Sequence, residues 1–260
     1  MPIRPSSLLP VLAWIALACG CAATGPSTEA ENLANADAAW SESRQLVLVV
    51  TPDWNASEGR MRTFERGDDG AWRETGAAVP VAVGRSGSAW GRGLHPAQPG
   101  AQKQEGDGRA PAGVFAIGPA FGYAASAATA LPYAQMQATS WCMDVPASPL
   151  YNRIVDAREV GEAAVEGSSE PMRLDLYNRG DPRYREGFVI AHNADALKGA
   201  GSCIFAHLWK RPGEPTAGCT AMAPDSMDRL YRWLDPEDAP VFALLPQAEY
   251  ARLREAWTLP

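Results

Sequence analysis

The stretch GSCIFAHLWKRPGEPTAGCTAM, residues 201–222, decides the fold of this chain and holds its chemistry. It opens with a short apolar run that ends at His207, continues through a loop rich in Pro and Gly, and closes on a turn of small residues that carries Cys219. The apolar run predicts a strand, and the loop lets the turn fold back beside it. The chain has only 3 histidines, so the pattern indicates a thiol nucleophile with a histidine as its base.

The residues around Cys219 suit that chemistry. A free thiol has a pKa near ~8.5, so a neighbouring general base is needed to take its proton. Small residues in a tight turn leave backbone N–H groups that can point at one place and hold an oxyanion. The donors are expected to be the amides of Gly218 and Cys219, with Ala217 as a further contact. The hydroxyl of Thr216 is expected to position the turn and the substrate.

Two motifs in the chain resemble those of the L,D-transpeptidase (YkuD-type) catalytic-domain family. That family pairs a strand-borne histidine, here His207, with a downstream Ser/Thr-x-Gly-Cys turn, here residues 216–219. Its upstream Pro-x-Gly-x-Phe element matches residues 111–115. The resemblance covers about residues 45–245 and implies a mainly β fold, a sandwich or barrel with a few short helices. It also implies a thioester formed on Cys219 from a peptidoglycan stem peptide, and no metal or organic cofactor.

The chain departs from the family pattern near the nucleophile. Ala217 stands where a second histidine is usual, and Ala221 stands where Asn or Arg is usual. The loop between His207 and the turn is also shorter than usual. These departures leave the acyl acceptor open. The interpretation is a transpeptidase, and the alternatives are an L,D-carboxypeptidase or amidase on the same site, or a non-catalytic wall-binding lipoprotein.

Other polar residues are candidates for the substrate site. His192 is a rival base, or lines the substrate site together with Asn193. Arg211 is expected to hold a stem-peptide carboxylate, because arginine binds carboxylates in a bidentate way; a solvated loop is the alternative. Cys203, His192, His207 and Cys219 could also be interpreted as zinc ligands, but their spacing matches no compact zinc motif.

The first residues predict export. Arg4 precedes an apolar run over residues 8–18 that is too short to span a bilayer. The run ends in a segment that resembles a lipobox, so residues 1–21 are predicted to be a signal peptide with Cys21 as the lipidated residue; Cys19, or an ordinary cleaved signal peptide, is the alternative. Neither cysteine has Asp two positions on, which favours a periplasmic lipoprotein anchored to the outer membrane.

Export also limits how the remaining cysteines pair. Cys142, Cys203 and Cys219 are an odd number in an oxidising compartment. A Cys142–Cys203 disulfide is the economical arrangement because it leaves Cys219 free. A disulfide between Cys203 and Cys219, or a buried structural Cys219, remains open from the sequence.

The composition fits one β-rich domain. A chain of 260 residues with 24 Gly and 22 Pro favours many short strands, and a net charge of −7 without a basic cluster argues against nucleic acid as a partner. The expected partners are the stem peptides and the membrane, with the protein a monomer. Predicted segments are a tether at 22–43, a catalytic domain at 44–246 and a C-terminal helix at 247–260. Within the domain, strands are expected at 46–51, 174–177 and 241–245, and a helix at 224–234.

Overall fold

The computed structural model describes Met1 and residues 39–260, and four short α-helices lie wholly within this range. The helices are α1 (Ala157–Val160), α2 (Leu174–Tyr177), α3 (Pro224–Trp233) and α4 (Gln247–Leu253). The first seven strands are β1 (Gln45–Thr51), β2 (Glu58–Arg66), β3 (Trp72–Glu74), β4 (Val79–Ala82), β5 (Ser88–Trp90), β6 (Ala110–Gly122) and β7 (Tyr133–Gln135). The others are β8 (Ser140–Cys142), β9 (Ile154–Asp156), β10 (Glu170–Pro171), β11 (Glu186–Ile190), β12 (Phe205–Leu208), β13 (Thr220–Met222) and β14 (Val241–Pro246).

The main sheet closes on itself. Its strands follow the order β1-β14-β6-β11-β12-β13-β4-β2, and β2 pairs again with β1. Closure leaves these strands no free edge, which is how a barrel satisfies its backbone hydrogen bonds. The predicted mainly β fold, a sandwich or barrel with a few short helices, is confirmed.

Strands β1 and β14 form the most apolar part of the barrel. They run in parallel, with Leu46 opposite Val241 and Leu48 opposite Ala243, and nearly every residue of both strands is buried. Continuous apolar strands are buried on both faces. Helix α4 follows β14 directly and packs against both strands, so it covers the outer face of this pair.

Helix α3 has the predicted location. Pro224 occupies its first turn, where a missing N–H costs nothing, and Asp225 lies near the positive end of the helix dipole. Met227, Leu230 and Tyr231 form a buried stripe on one side. The stripe attaches the helix to the barrel core.

The domain begins earlier than the predicted tether boundary. Trp40 and Ser43, which the sequence placed in the tether, are both buried. The Trp40 indole N–H donates to the Trp257 carbonyl at 3.3 Å, and the two rings meet edge to face at 5.8 Å. Trp257 lies beyond the end of α4, in a turn that continues the predicted C-terminal helix. Residues near the two ends of the described segment 39–260 therefore belong to one aromatic cluster.

We expect Trp40→Ala to lower the free energy of unfolding by about 3 kcal/mol, the usual cost of emptying a large aromatic site in a core. Urea unfolding followed by far-UV circular dichroism measures it. Trp72→Ala is the matched control, because Trp72 is only half-buried and should cost much less. A Trp40→Ala variant as stable as the wild-type protein would show that the segment before β1 does not belong to the folded core.

The segment between β6 and β11 forms a layer outside the barrel. It contains a three-stranded sheet in the order β10-β8-β9, with Cys142 opposite Glu170 in the register of β8 and β10. Residues 174–177, predicted as a strand, form helix α2, so that prediction is wrong. The LDLY alternation suits a strand, but the segment has a helical hydrogen bond instead, from Asn178 N–H to the Leu174 carbonyl at 2.7 Å.

A disulfide joins this outer layer to the barrel. Cys142 at the end of β8 is bonded to Cys203, which lies shortly before β12, and Cys219 is free. This is the disulfide that the sequence analysis favoured for an exported protein. Among the residues that the structure describes, no helix has the length and apolar character needed to cross a membrane.

Candidate active site

Strand β12 presents His207 on the outer face of the barrel wall. Its four residues, FAHL, are all buried because both faces of the strand are covered. Ala206 and Leu208 point into the main core, whereas Phe205 belongs to a second apolar cluster together with Cys219. Since side chains alternate along a strand, His207 lies on the same face as Phe205. The site therefore lies between the barrel and its outer layer.

Strand β13 places the cysteine next to the histidine. It runs parallel to β12, with His207 opposite Ala221, and Cys219 comes just before its first residue. Residues two apart in a strand share a face, so Cys219 lies one diagonal step from His207. Both residues line one cavity.

The turn before Cys219 is held by Thr216. The Thr216 hydroxyl donates to the Cys219 carbonyl at 2.7 Å and accepts from the Gly218 N–H at 3.1 Å. Gly218 leaves little room for a side chain, since a Cβ there would lie 3.0 Å from the Arg109 carbonyl. The predicted positioning role of Thr216 thus has a definite geometry, and the Gly218 amide predicted as an oxyanion donor has the Thr216 hydroxyl as its acceptor in this state.

The thiol itself has two backbone partners. The Phe205 N–H donates to Cys219 Sγ at 3.3 Å, and the Cys219 thiol donates to the Cys203 carbonyl at 3.4 Å. The residue is only 8% exposed. The backbone on both sides of Ile204, at Cys203 and at Phe205, thus holds the sulfur in place.

His207 is oriented by its own strand. Its Nδ1–H donates to the Leu208 carbonyl at 2.7 Å, which fixes the tautomer and leaves Nε2 as the basic nitrogen. The Tyr184 ring packs against the imidazole edge to face, with centroids 5.3 Å apart. An imidazole with one nitrogen anchored and the other unprotonated is what a general base needs.

Burial keeps both groups uncharged. It raises the pKa of the Cys219 thiol to about 12, with the nearby Glu170 carboxyl adding to the effect. It lowers the pKa of His207 to about 4, against a smaller opposing effect of the Leu208 carbonyl. The free protein therefore holds a thiol and a neutral imidazole near pH 7, and not a thiolate–imidazolium pair.

The cavity over Cys219 has a volume of about 320 Å³ and a strongly polar lining. One wall is the barrel with His207, Ala217 and Gly218, and the other is the outer layer. Its charged lining residues are Arg85, Lys103, Glu105, Asp144, Glu170 and Arg183. Charges of both signs on the wall suit a substrate that carries both an ammonium and a carboxylate group.

Glu170 on β10 is the acid that most affects the thiol. The Tyr184 hydroxyl donates to its carboxyl group, and burial raises the pKa of Glu170 to about 7. Arg183 next to it forms an ion pair with Asp181 at 2.8 Å. None of these residues was named in the sequence analysis. For Asp181, Arg183 and Tyr184 the available signal was the charged and aromatic run at 179–187, and Glu170 lies outside it.

Three predicted substrate residues lie away from this cavity. His192 is buried with both ring nitrogens engaged: Nδ1 accepts from the Arg92 N–H at 3.2 Å and Nε2 donates to the Ala200 carbonyl at 2.9 Å. It lines a separate, more apolar cavity. Asn193 is buried and bonded within its own loop, to Leu197 and Gly201. Arg211 is exposed and paired with Glu214 at 2.8 Å.

The zinc alternative loses one of its four residues, because Cys203 is bonded to Cys142. In the part of the chain that the structure describes, no group of three or more His, Cys, Asp or Glu residues is arranged to hold a metal ion.

Acid is expected to destabilise the fold through its buried histidines. Burial lowers the pKa of His192 and of His207 to about 4. It also lowers the pKa of His95 below its ordinary value. An unfolded chain takes up these protons below about pH 6.5, so stability falls as the pH drops, by roughly 3 kcal/mol for each shift of this size. Glu170 acts oppositely: its raised pKa means that its contribution to stability is lost as the pH rises from 4.5 to about 7.

The net expectation is a loss of about 3 kcal/mol in the free energy of unfolding between pH 6.5 and 4.5. Urea unfolding at a series of pH values measures it. Glu170→Gln should make the loss steeper, because it removes the opposing group. A stability that stays level over this range would contradict the neutral, buried state of the histidines.

The comparison with protein families agrees with this geometry. The family described as YkuD, the L,D-transpeptidase catalytic domain, matches residues 52–242. Because the match covers most of the chain, the protein belongs to this family, and the resemblance noted in the sequence is confirmed. The family is one of peptidoglycan L,D-transpeptidase-type enzymes. Searches of curated proteins and of solved structures found no match.

Proposed function

We propose that this protein is a cysteine acyltransferase that acts on peptidoglycan stem peptides through a thioester on Cys219. The observation that carries the proposal is the arrangement of the free thiol: Cys219 faces the same cavity as His207, whose Nδ1–H is anchored and whose Nε2 is free to accept a proton. Family membership supports the reaction class.

In the first half of the reaction, Cys219 Sγ attacks the carbonyl carbon of the amide that follows a diamino-acid residue. The thiol proton passes to His207 Nε2 as the carbon–sulfur bond forms. His207 then gives that proton to the leaving amine, the amide bond breaks, and the acyl group remains on sulfur.

Oxyanion stabilisation falls to the turn amides. The Gly218 N–H exchanges its acceptor, the Thr216 hydroxyl, for the oxyanion, and the Cys219 N–H joins it. The Thr216 hydroxyl keeps its bond to the Cys219 carbonyl, so the turn holds its shape through the exchange.

In the second half, an amine attacks the thioester and loses its proton to Nε2. The carbon–sulfur bond breaks, and the proton returns to sulfur. The mixed charges that line the cavity suit a diamino-acid acceptor, whose ammonium and carboxylate can meet Glu170 and Arg85 or Arg183. Water in place of the amine would give a carboxypeptidase.

The test is mass spectrometry of the full chain after incubation with a disaccharide-tetrapeptide, with the small products analysed in parallel. An adduct on Cys219 together with a dimeric product is the expected result. Loss of the terminal residue without dimer would make the protein a hydrolase. No adduct and no turnover would overturn the proposal and favour a wall-binding protein.

We also propose export to the periplasm and an anchor in the outer membrane through Cys21, on the sequence features alone. Cys21 and Arg4 lie outside the described residues. Fractionation of cells that express the full chain tests the anchor. Wild-type protein in the outer-membrane fraction and Cys21→Ser in the soluble fraction is the expected pair, and equal distribution of the two would exclude it.

A further inference from the structure

We propose that the Cys142–Cys203 disulfide is a positioning element for the nucleophile, which sets the place of Cys219 Sγ and the width of the cavity above it. The inference deepens the proposed function and rests on it for the kinetic part. Its central observation is that the disulfide is covalently attached to the backbone that holds the sulfur.

Residues 203–205, here called the holding segment, make three contacts with the catalytic turn. The Cys203 carbonyl accepts the thiol hydrogen bond, and the Phe205 N–H donates to the same sulfur. Between them, Ile204 packs on the turn, since a Cβ at Gly218 would lie 3.3 Å from its Cδ1. A shift of the holding segment therefore moves the sulfur and its turn together.

The holding segment needs an external restraint. Cys203 has φ of +56°, a left-handed conformation that is unfavourable for a residue with a β-carbon and persists only where the surroundings impose it. Two restraints act at this residue: the disulfide, and the Cys203 N–H, which donates to Asn152 Oδ1 at 2.9 Å. The residues before it form a loop and not a strand; His192 and Asn193 donate to the Ala200 and Gly201 carbonyls, and the Ser202 hydroxyl donates to Glu105. None of these bonds is made by Cys203 itself.

The same bond joins the two walls of the cavity. Cys142 lies at the end of β8, and its partner in the neighbouring strand β10 is Glu170, the acid on the outer wall. Cys203 belongs to the barrel side, next to β12 and His207. The disulfide is thus a short covalent path from the wall with Glu170 to the wall with the nucleophile. Its loss would let the outer layer move away and admit water to the sulfur.

The test uses the full-length double variant Cys142→Ala, Cys203→Ala, which adds no new thiol. Two readouts move in opposite directions. Turnover on the disaccharide-tetrapeptide is expected to fall about 10-fold or more in kcat, with little change in KM, because misplacement of a reacting group by an ångström costs up to about 100-fold. Alkylation of Cys219 by iodoacetamide, followed on its own peptide by mass spectrometry, is expected to become about 10-fold faster at pH 8 as the thiol becomes hydrated.

The pH dependence of the alkylation rate is a third readout, because the pKa of the Cys219 thiol depends on the charges around it. The charged and titratable groups that face the thiol cavity are Arg85, Lys103, Glu105, Asp144, Glu170, Arg183, Tyr184 and His207. Separation of the walls moves Glu170 away and hydrates the sulfur, so the midpoint of the alkylation profile should shift to lower pH. A disulfide that only stabilises the fold would leave this midpoint unchanged.

Leu253→Ala is the matched control. Leu253, the last residue of α4, is buried in the main core and does not line the cavity, so its truncation lowers stability without changing the holding segment. We expect it to leave kcat and the alkylation rate of the folded protein unchanged. If the double variant is folded and behaves like Leu253→Ala in both readouts, the proposal is wrong.

Asn152→Gly keeps the test decisive if the double variant does not fold. Asn152 has φ of +62°, which glycine adopts without strain. This variant keeps the disulfide and removes the acceptor of the Cys203 N–H, together with the bonds from Asn152 Nδ2 to the His192 and Asn193 carbonyls. It should change both readouts in the same directions by a smaller factor, and no change would overturn the proposal. Alkylation needs no substrate, so it tests the positioning role even if the wild-type protein proves inactive on stem peptides.

Discussion

Cys219→Ala is expected to lower the rate of crosslink formation from a disaccharide-tetrapeptide by at least about 1000-fold, to the background of the reaction. The variant keeps the cavity and His207 but has no atom that can carry the acyl group. Intact mass should show no adduct, and product analysis should show neither dimer nor shortened peptide. Since Cys219 is buried and small, alanine leaves the fold nearly unchanged.

Cys219→Ser tests whether a hydroxyl can replace the thiol in the same site. A hydroxyl in the same place can keep the bonds to Phe205 and Cys203, so the site stays assembled. A serine hydroxyl is far less acidic than a thiol, and one imidazole is a weak base for it in so dry a site; activity should remain lost. More than a tenth of wild-type turnover in Cys219→Ala would exclude a thioester on this residue.

His207→Gln is expected to lower kcat by about 100- to 10,000-fold, the usual range for removal of a general base. Glutamine can keep a donor near the Leu208 carbonyl but has no basic nitrogen. The pH profile gives a second, independent readout. Burial lowers the pKa of His207 to about 4, so the base stays unprotonated, and kcat/KM of the wild type should hold down to about pH 5 and fall only below it. The variant should lack this acidic limb.

His192→Gln is the matched control for His207→Gln. Both ring nitrogens of His192 are bonded to the protein backbone, and its cavity is not the one over Cys219. It should therefore lose stability but less than tenfold in kcat. If His192→Gln is inactive and His207→Gln keeps its turnover, the base is His192 and the assignment made here is reversed.

Local patterns were sufficient for the barrel and for the neighbouring strands that carry His207 and Cys219. The continuous apolar runs of β1 and β14 predict strands, and the N-terminal proline and apolar stripe of α3 predict a helix, each from a few neighbouring residues. The histidine and cysteine could be paired because one loop brings two neighbouring strands of the barrel together. In these segments the residues that determine the structure are close to one another in the sequence.

The outer wall could not be predicted because it is assembled from distant parts of the chain. Glu170 reaches the cavity through its pairing with Cys142, and Tyr184 through packing on His207, and neither contact leaves a periodic signal. Arg211 shows the reverse case: its loop position suited a substrate contact, but Glu214 three residues on supplies a nearer partner. Trp40 looked like part of a polar tether because its partner, Trp257, is at the other end of the chain.

That contact between Trp40 and Trp257 also means that the domain starts and finishes at the same place. Chain termini that lie together tolerate being joined, and new ends are best opened in an exposed turn such as the one at Gly213. A circular permutant made this way would carry Cys219 near its beginning and His207 near its end. The closed ring of strand pairs would still bring them side by side, so the order of strands around the barrel, and not the order of residues along the chain, defines this enzyme's site.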